Sequence, residues 1–146
     1  MSARVKVRAA IWVQGKLVVH RSQRRGSEHM SLPGGWVGKG ESVTDALRRE
    51  IDEELGIEVD IGDLLCVAEV VNSSSLQDVE LVFAASLREQ TDTGALVLID
   101  PRGDRAGEVL PPILGALADQ HDAQDRGAPS SRWLGNVYAP GLHPLS

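Results

Sequence analysis

The chain has 146 residues, of which 42% are hydrophobic and 25% charged, with a net charge of −6 and one cysteine. This length and apolar content support one packed domain, expected to span residues 1–146, and exclude two independent cores and wholesale disorder. The single Cys66 excludes an intramolecular disulfide and a zinc site built from several thiolates. We interpret Cys66 as a buried or idle thiol, with a catalytic nucleophile as the alternative.

Alternating and β-branched residues on both sides of the turn signal Gln14-Gly15 predict a β-hairpin over residues 4–21. Residues 22–40 are rich in glycine and contain Pro33, so we predict irregular structure there. No apolar run approaches the roughly 20 residues that span a bilayer, and the start of the chain is interrupted by basic residues. The sequence therefore predicts a cytoplasmic protein with no membrane partner.

A helix is predicted after this glycine-rich segment. Ser42 or Thr44 can cap its beginning, and Gly56 follows Leu55 at its end. The elements predicted beyond it are strands over 64–71, 79–87 and 95–99, a loop over 102–108, a helix from the Pro111-Pro112 pair to about Ala123 and an irregular tail from Asp125. Strands and helices mixed in one short chain predict an α/β or α+β fold with a mixed sheet.

The charges are unevenly distributed along the chain. Residues 1–50 carry ten Lys and Arg against four Asp and Glu, whereas residues 51–146 carry five against seventeen. A uniformly basic nucleic-acid binder is therefore disfavoured. Two segments of opposite charge suit a site that holds an anionic ligand through cations, although they can also simply neutralise each other across the fold.

Three acids of the predicted helix, Glu50, Glu53 and Glu54, stand at positions i, i+3 and i+4. They fall within an arc of roughly 100° beside the apolar stripe that contains Ile51. Three carboxylates this close repel one another, and a divalent cation that prefers oxygen ligands, such as Mg²⁺ or Mn²⁺, would remove the repulsion. The alternative is an acidic helix face exposed to solvent.

The residues around these acids form a longer motif, the box of residues 35–57. From Gly35 it reads Gly, five residues, Glu41, seven residues, Arg49-Glu50, Ile51, one residue, Glu53-Glu54, one residue, Gly56, Ile57. This pattern resembles the signature of the Nudix hydrolases at every fixed position. A chance match is expected on the order of once in a million sequences.

The resemblance implies an α/β/α sandwich with a mixed β-sheet. It also implies metal-dependent hydrolysis of a small nucleotide substrate, in which a nucleoside diphosphate linked to another group, or a nucleoside triphosphate, is cut at a pyrophosphate bond. The metal, Mg²⁺ or Mn²⁺, would be held by Glu50, Glu53 and Glu54, with the carbonyl of Gly34 as a backbone ligand.

Further roles follow from the same resemblance, position by position. Arg49 would position the acids, with Glu41 as its structural partner. Gly35 would let its loop approach the metal, and Gly56 would let the chain leave the helix.

The general base is open between Glu50 and a loop acid outside the box. Glu108 is the first candidate among the other acids, with Asp104 and Glu80 behind it. Each of these three can equally be an ordinary surface acid.

Substrate contacts are predicted from residues near the box in sequence. Arg21, Arg25 and Lys39 are candidate phosphate-binding cations because guanidinium and ammonium groups pair with phosphate oxygens, and Arg24 belongs to the same group. Trp36 is a candidate for stacking on a base. The alternatives are solvated side chains for the cations and packing within the fold for Trp36.

Sub-signatures of individual Nudix substrates are mostly missing. Where relatives that act on ADP-ribose have a proline and those that act on diadenosine polyphosphates a tyrosine, the chain has Ser73-Ser74-Ser75. We favour a nucleoside triphosphate or nucleotide sugar. The alternatives in other classes are a catalytically silent Nudix-like binding or regulatory module and an isomerase with the same metal helix. A homodimer is possible.

Overall fold

A computed structural model describes residues 3–72, 77–124, 131–140 and 142. Its strands are β1 Arg4–Val13, β2 Lys16–Arg24, β3 Ser27–Ser31, β4 Gly34–Trp36, β5 Val59–Val71, β6 Gln77–Leu87, β7 Val97–Ile99, β8 Val109–Leu110 and β9 Arg132–Asn136. Its helices are α1 Val43–Leu55 and α2 Leu114–Gln124, with a 3₁₀ turn at Ala106–Glu108. None of the described helices is long and apolar enough to cross a membrane.

The strands form one mixed sheet in the order β8-β3-β2-β1-β6-β5-β9, with β4 paired to β1 and β7 paired to β2. The central pair, β1 and β6, is parallel, with Arg4 opposite Asp78 and Lys6 opposite Glu80. Strand β4 runs antiparallel to β1, with Trp36 opposite Lys6. The predicted mixed sheet is confirmed, and the register brings side chains from three strands onto one face.

Helices cover both faces of this sheet. Val7, Ala9 and Ile11 alternate along β1 and pack in one core with Leu47 and Ile51 of α1. The core on the opposite face joins the sheet to α2. Its residues include Ala10, Leu17, Val82, Leu114 and Leu117. This arrangement confirms the predicted α/β/α sandwich.

Helix α1 begins and ends at residues that sequence reasoning identifies. The Ser42 side chain accepts a hydrogen bond from the Asp45 N–H at 3.1 Å, so Ser42 is the cap. Gly56 ends the helix with φ +65°, a conformation that glycine adopts without strain. The predicted helix is confirmed at both ends.

The prediction of irregular structure over residues 22–40 is wrong for residues 22–24, 27–31 and 34–36, which lie in strands, and holds for 37–40. Strand β2 continues to Arg24, turns at Arg25-Gly26, and is followed by β3 and β4. The glycines mislead because some of them serve strands: a Cβ on Gly34 would lie 1.9 Å from the Val7 carbonyl oxygen. The glycine therefore permits the close pairing of β4 with β1.

The prediction of an irregular tail from Asp125 is also wrong for residues 132–136, which form β9 beside β5. The Asn136 amide accepts from the Val71 N–H at 3.1 Å and donates to the Val71 carbonyl at 3.0 Å, extending the strand pairing through a side chain. The predicted hairpin, the strands β5, β6 and β7 and the helix α2 are confirmed with shifted boundaries. The tail residues 125–130, 141 and 143–146 lie outside the described residues.

Candidate active site

The turn between β4 and α1 brings two of the box acids against glycine backbone. The Gly34 N–H donates to Glu54 Oε1 at 2.9 Å. A Cβ on Gly35 would lie 2.6 Å from the Glu50 carboxyl carbon. The missing side chain of Gly35 therefore makes the space that the Glu50 carboxylate occupies.

Arg49 links the beginning of the box to the helix acids. It donates from Nε and Nη2 to the two carboxylate oxygens of Glu41, at 2.8 and 3.0 Å, and from Nη1 to Glu50 and Glu53 at 3.2 and 3.3 Å. The hydrogen bond from Arg49, with another from the Gly38 N–H, lowers the pKa of Glu41 to about 2. This Arg49–Glu41 pair supports the positioning roles that the resemblance implies.

Glu54 is a partly buried acid of the box. Burial raises its pKa to about 7, and the nearby carboxylates of Glu50 and Glu53 add to the increase. The Gly34 N–H and the charge of Arg8 act in the opposite direction. Metal-free Glu54 is therefore partly protonated near neutral pH, whereas a bound cation would favour its ionised form.

His20 on β2 lies 3.3 Å from Glu54, measured from Nδ1 to Oε2. Burial and the neighbouring charge of Arg8 lower the pKa of His20, whereas the charge of Glu50 acts in the opposite direction. The lowered pKa disfavours the charged form of the imidazole, which weakens the contact with Glu54 as an ion pair.

A cavity of about 490 Å³ opens between the box acids and the sheet. This volume falls within the range of small-molecule sites. Its charged and imidazole-bearing lining residues are Arg4, Lys6, Arg8, His20, His29, Glu50, Glu54, Asp78 and Glu80. The carboxylates of the box and three cations of β1 therefore face the same cavity.

Arg8 is the most firmly held of these cations. It is 6% exposed, donates from Nε to Glu80 Oε1 at 2.8 Å and from Nη1 to the Leu32 carbonyl at 3.0 Å. Glu80 itself is 2% exposed, so the two charges form a buried pair in the cavity wall. Because two of the three guanidinium nitrogens are anchored, the orientation of the group is fixed.

Trp36 forms an aromatic part of the same wall. The Arg4 guanidinium carbon lies 4.0 Å from its ring centroid, and Lys6 Nζ lies 4.3 Å from it. These distances correspond to cation–π contacts. Trp36 is 37% exposed and lines the cavity, and its role as a stacking surface for a base stays a prediction.

Several predicted site residues lie elsewhere. Arg21 is exposed and lies 3.8 Å from Glu28, and Arg25 and Lys39 are exposed and do not line the cavity. Glu108 is exposed in the 3₁₀ turn and accepts from Arg105 at 3.0 Å, also outside the cavity lining. Asp104 is likewise exposed outside it, whereas Glu80 lies within.

The residues that sequence reasoning missed are Arg4, Lys6 and Arg8. They alternate on β1 with the apolar residues that face α1, so they share the opposite face. The alternation of basic and apolar residues along β1 is the signal that could have identified them, because it places the three cations on one face of the strand. Asp78, buried and without a motif around it, carries no such signal.

The residues present fit a divalent cation in their chemistry, since Glu50, Glu53 and Glu54 offer carboxylate oxygens and Gly35 leaves room beside one of them. Among the described residues, no three His, Cys, Asp or Glu side chains already converge as a metal cage. Arg49 and the Gly34 N–H instead take the bonds that a cation would replace.

Comparison with known proteins identifies relatives of this fold. A MutT Nudix hydrolase from Burkholderia pseudomallei is 29% identical, covering 69% of this chain and 85% of its own, with a TM-score of 0.57. A Nudix hydrolase from Nitrosomonas europaea is 17% identical and covers 93% and 81%, with a TM-score of 0.70. An ADP-ribose pyrophosphatase from Streptococcus suis is 19% identical and covers 90% and 99%, with a TM-score of 0.64.

At such low identity, the last two structures establish the fold alone. No curated protein sequence matches the chain. The family model of the NUDIX domain matches residues 3–126, which includes the whole box and most of the described sheet. With this match, the sandwich fold and the intact box, the chain belongs to the Nudix family of hydrolases.

Proposed function

We propose that the protein hydrolyses a nucleoside triphosphate, or a nucleoside diphosphate linked to a second group, at the pyrophosphate bond and with Mg²⁺ or Mn²⁺. The products would be a nucleoside monophosphate and the phosphorylated second group, or the triphosphate equivalent. The observation that carries this proposal is that Glu50, Glu54 and Arg8 line one and the same cavity. One wall supplies carboxylates that can bind a metal ion, and the other supplies the fixed guanidinium of Arg8.

Glu50, Glu53, Glu54 and the carbonyl of Gly34 would hold the cation. When bound, a divalent cation withdraws charge from phosphate oxygens and lowers the pKa of a coordinated water. Arg49 would keep the acids in place from the solvent side. Arg8, held by Glu80 and the Leu32 carbonyl, would hold the diphosphate against them.

Glu50 is the best placed of the candidate general bases. Its carboxylate lines the cavity, whereas Glu108 is exposed and engaged by Arg105. Glu80 also lies in the cavity, but its side chain is 3% exposed against 17% for Glu50, so Glu50 is more open to an attacking water. We therefore propose that Glu50 is the general base, which accepts the proton that leaves the attacking water.

The decisive experiment is a panel of nucleoside triphosphates and diphosphate-linked nucleotides, assayed for phosphate and monophosphate release with Mg²⁺ and with Mn²⁺. Arg8→Lys retains the charge but loses the two-nitrogen anchoring, so we expect KM to rise about tenfold. Arg21→Ala, an exposed arginine outside the cavity, is the matched control and should leave KM unchanged. No turnover of any substrate in the panel would favour the silent binding module.

A further inference from the structure

The end of the cavity at Arg4 holds a buried acid that the proposed hydrolysis does not use. Asp78, the second residue of β6, pairs with Arg4, is 3% exposed and lines the cavity. Its Oδ1 atom is buried and has no hydrogen-bond partner among the described residues. Buried acceptors are normally paired, so an acceptor left open at a cavity indicates a donor that arrives with a ligand.

The nearest cation does not satisfy this acceptor. Arg4 Nε lies 3.5 Å from Asp78 Oδ1, beyond good hydrogen-bond geometry, and the Arg4 guanidinium stacks over the Trp36 ring. Half of the Arg4 side chain is exposed, so it is free to adjust. An acceptor, a donor and an aromatic ring therefore stand together at this end.

The position of Asp78 suits the nucleoside part of a substrate. Gly34 lies opposite Arg8 on β1, and Asp78 lies opposite Arg4. Arg4 and Arg8 are four positions apart, which corresponds to about 13 Å along the strand. A nucleotide whose diphosphate lies at the box would direct its sugar and base towards Asp78, and this separation keeps the Asp78 carboxylate away from the phosphates.

We propose that Asp78, Arg4 and Trp36 form a nucleobase subsite that selects guanine. This inference rests on the proposed function for the orientation of the nucleotide. An ionised carboxylate only accepts hydrogen bonds, and its two oxygens match two adjacent N–H donors. Guanine presents such a pair, N1–H and N2–H, beside the O6 acceptor, towards which Arg4 can donate.

The other bases match this arrangement less well. Adenine and cytosine each offer one amino group next to a ring nitrogen whose lone pair faces the second carboxylate oxygen. Uracil offers a single N–H between two carbonyl oxygens. Enzymes that read a base in a pocket combine such edge contacts with an aromatic ring, which Trp36 supplies.

The test compares guanine with hypoxanthine, which lacks only the N2 amino group. Binding of GMP, IMP and AMP is measured by calorimetry, and kcat and KM are measured for GTP and ITP with Mg²⁺. The wild type is expected to bind GMP about tenfold more tightly than IMP, because the missing amino group leaves a buried acceptor unpaired. Asp78→Asn should reduce this affinity ratio to below about twofold, and the preference for GTP over ITP should fall mainly through a change in KM.

Asp63→Asn is the matched control, since Asp63 is an exposed acid of β5 outside the cavity and its substitution should preserve the ratio. Asp78→Ser provides a second variant if Asp78→Asn does not fold. The proposal is overturned if wild type binds GMP and IMP equally, or if folded Asp78 variants keep the preference. It is also overturned if those variants lose discrimination between GMP and deoxy-GMP instead, which would place the carboxylate on the ribose.

The two proposals fail in different ways. Guanine-selective binding that depends on Asp78, without hydrolysis of any nucleotide, would refute the hydrolytic function and support the base subsite. Efficient hydrolysis of GTP and ITP alike would support the hydrolytic function and refute the base subsite.

Discussion

Replacing Glu54 with glutamine should stabilise the metal-free protein while it abolishes metal-dependent turnover. Burial holds the pKa of Glu54 near 7, above the ordinary value of 4.5. Above pH 7 the folded protein therefore keeps a charge that its surroundings disfavour. Glutamine removes the charge and retains an oxygen that can accept from the Gly34 N–H.

The magnitude follows from the difference between the folded and unfolded pKa values. A rise from 4.5 to about 7 corresponds to about 3 kcal/mol. The Glu54 side chain is still 15% exposed, so solvent screening reduces the expected gain to roughly 1.5 kcal/mol. For a chain of this length, such a gain raises Tm by about 5 °C.

The sign of the pH dependence is fixed by the raised pKa. Below about pH 4.5 Glu54 is protonated in the folded and the unfolded state, so the carboxyl and the amide should be equally stable. As the pH rises through 4.5 to 7, the unfolded state releases its proton first and wild type loses stability relative to the variant. Above pH 7 the difference should remain constant.

The measurement is urea unfolding of both proteins in EDTA at pH 4.5 and pH 8, combined with turnover assays in Mg²⁺. Glu53→Gln is the matched control: the Glu53 side chain is 57% exposed, so the same substitution should change stability little. A variant of Glu54 that is no more stable than wild type at pH 8, or that gains equally at both pH values, would refute the burial argument. Turnover within about tenfold of wild type would refute the metal role.

Three further predictions concern the box, the base and the thiol. Gly35→Ala should lower kcat about 100-fold by displacing the Glu50 carboxylate. Gly115→Ala is the control, because a Cβ there would meet open space and kcat should not change. A Gly35→Ala variant as active as wild type would contradict the close contact between Gly35 and Glu50. Glu50→Gln should lower kcat about 1000-fold and Glu108→Gln less than about twofold, and the opposite ranking in the same assay would return Glu108 to the role of base. Burial raises the pKa of Cys66 to about 12, so a thiol reagent at pH 8 should label it only at the rate of unfolding, and rapid labelling of the native protein would contradict this.

The helix and its acids could be predicted from the sequence because their determinants are local. The Ser42 cap, Gly56 and the spacing of Glu50, Glu53 and Glu54 all lie within one short segment. Helical periodicity alone places the three carboxylates on neighbouring positions. The resemblance to Nudix hydrolases depends on the same segment, and the fold and the family match confirm it.

The cavity could not be predicted in the same way, because strands far apart in sequence build it. Proximity in sequence to the box suggested Arg21, Arg25 and Lys39 as phosphate cations. The parallel pairing of β1 with β6 instead places Arg8 beside Glu80, 72 residues away, at the cavity wall. Long-range pairing between strands leaves no mark in a local window of sequence.

The length, composition and charge of the chain, together with the box, determined by themselves an α/β fold and a helix with three closely spaced carboxylates. They also located the excess of cations in the first third of the chain. Only the tertiary structure decided which of those cations line the cavity and which acid stands opposite them. The physical reason is that the charge of a side chain is encoded locally, whereas its burial and its partners, as for Arg8 and Asp78, depend on the register between strands.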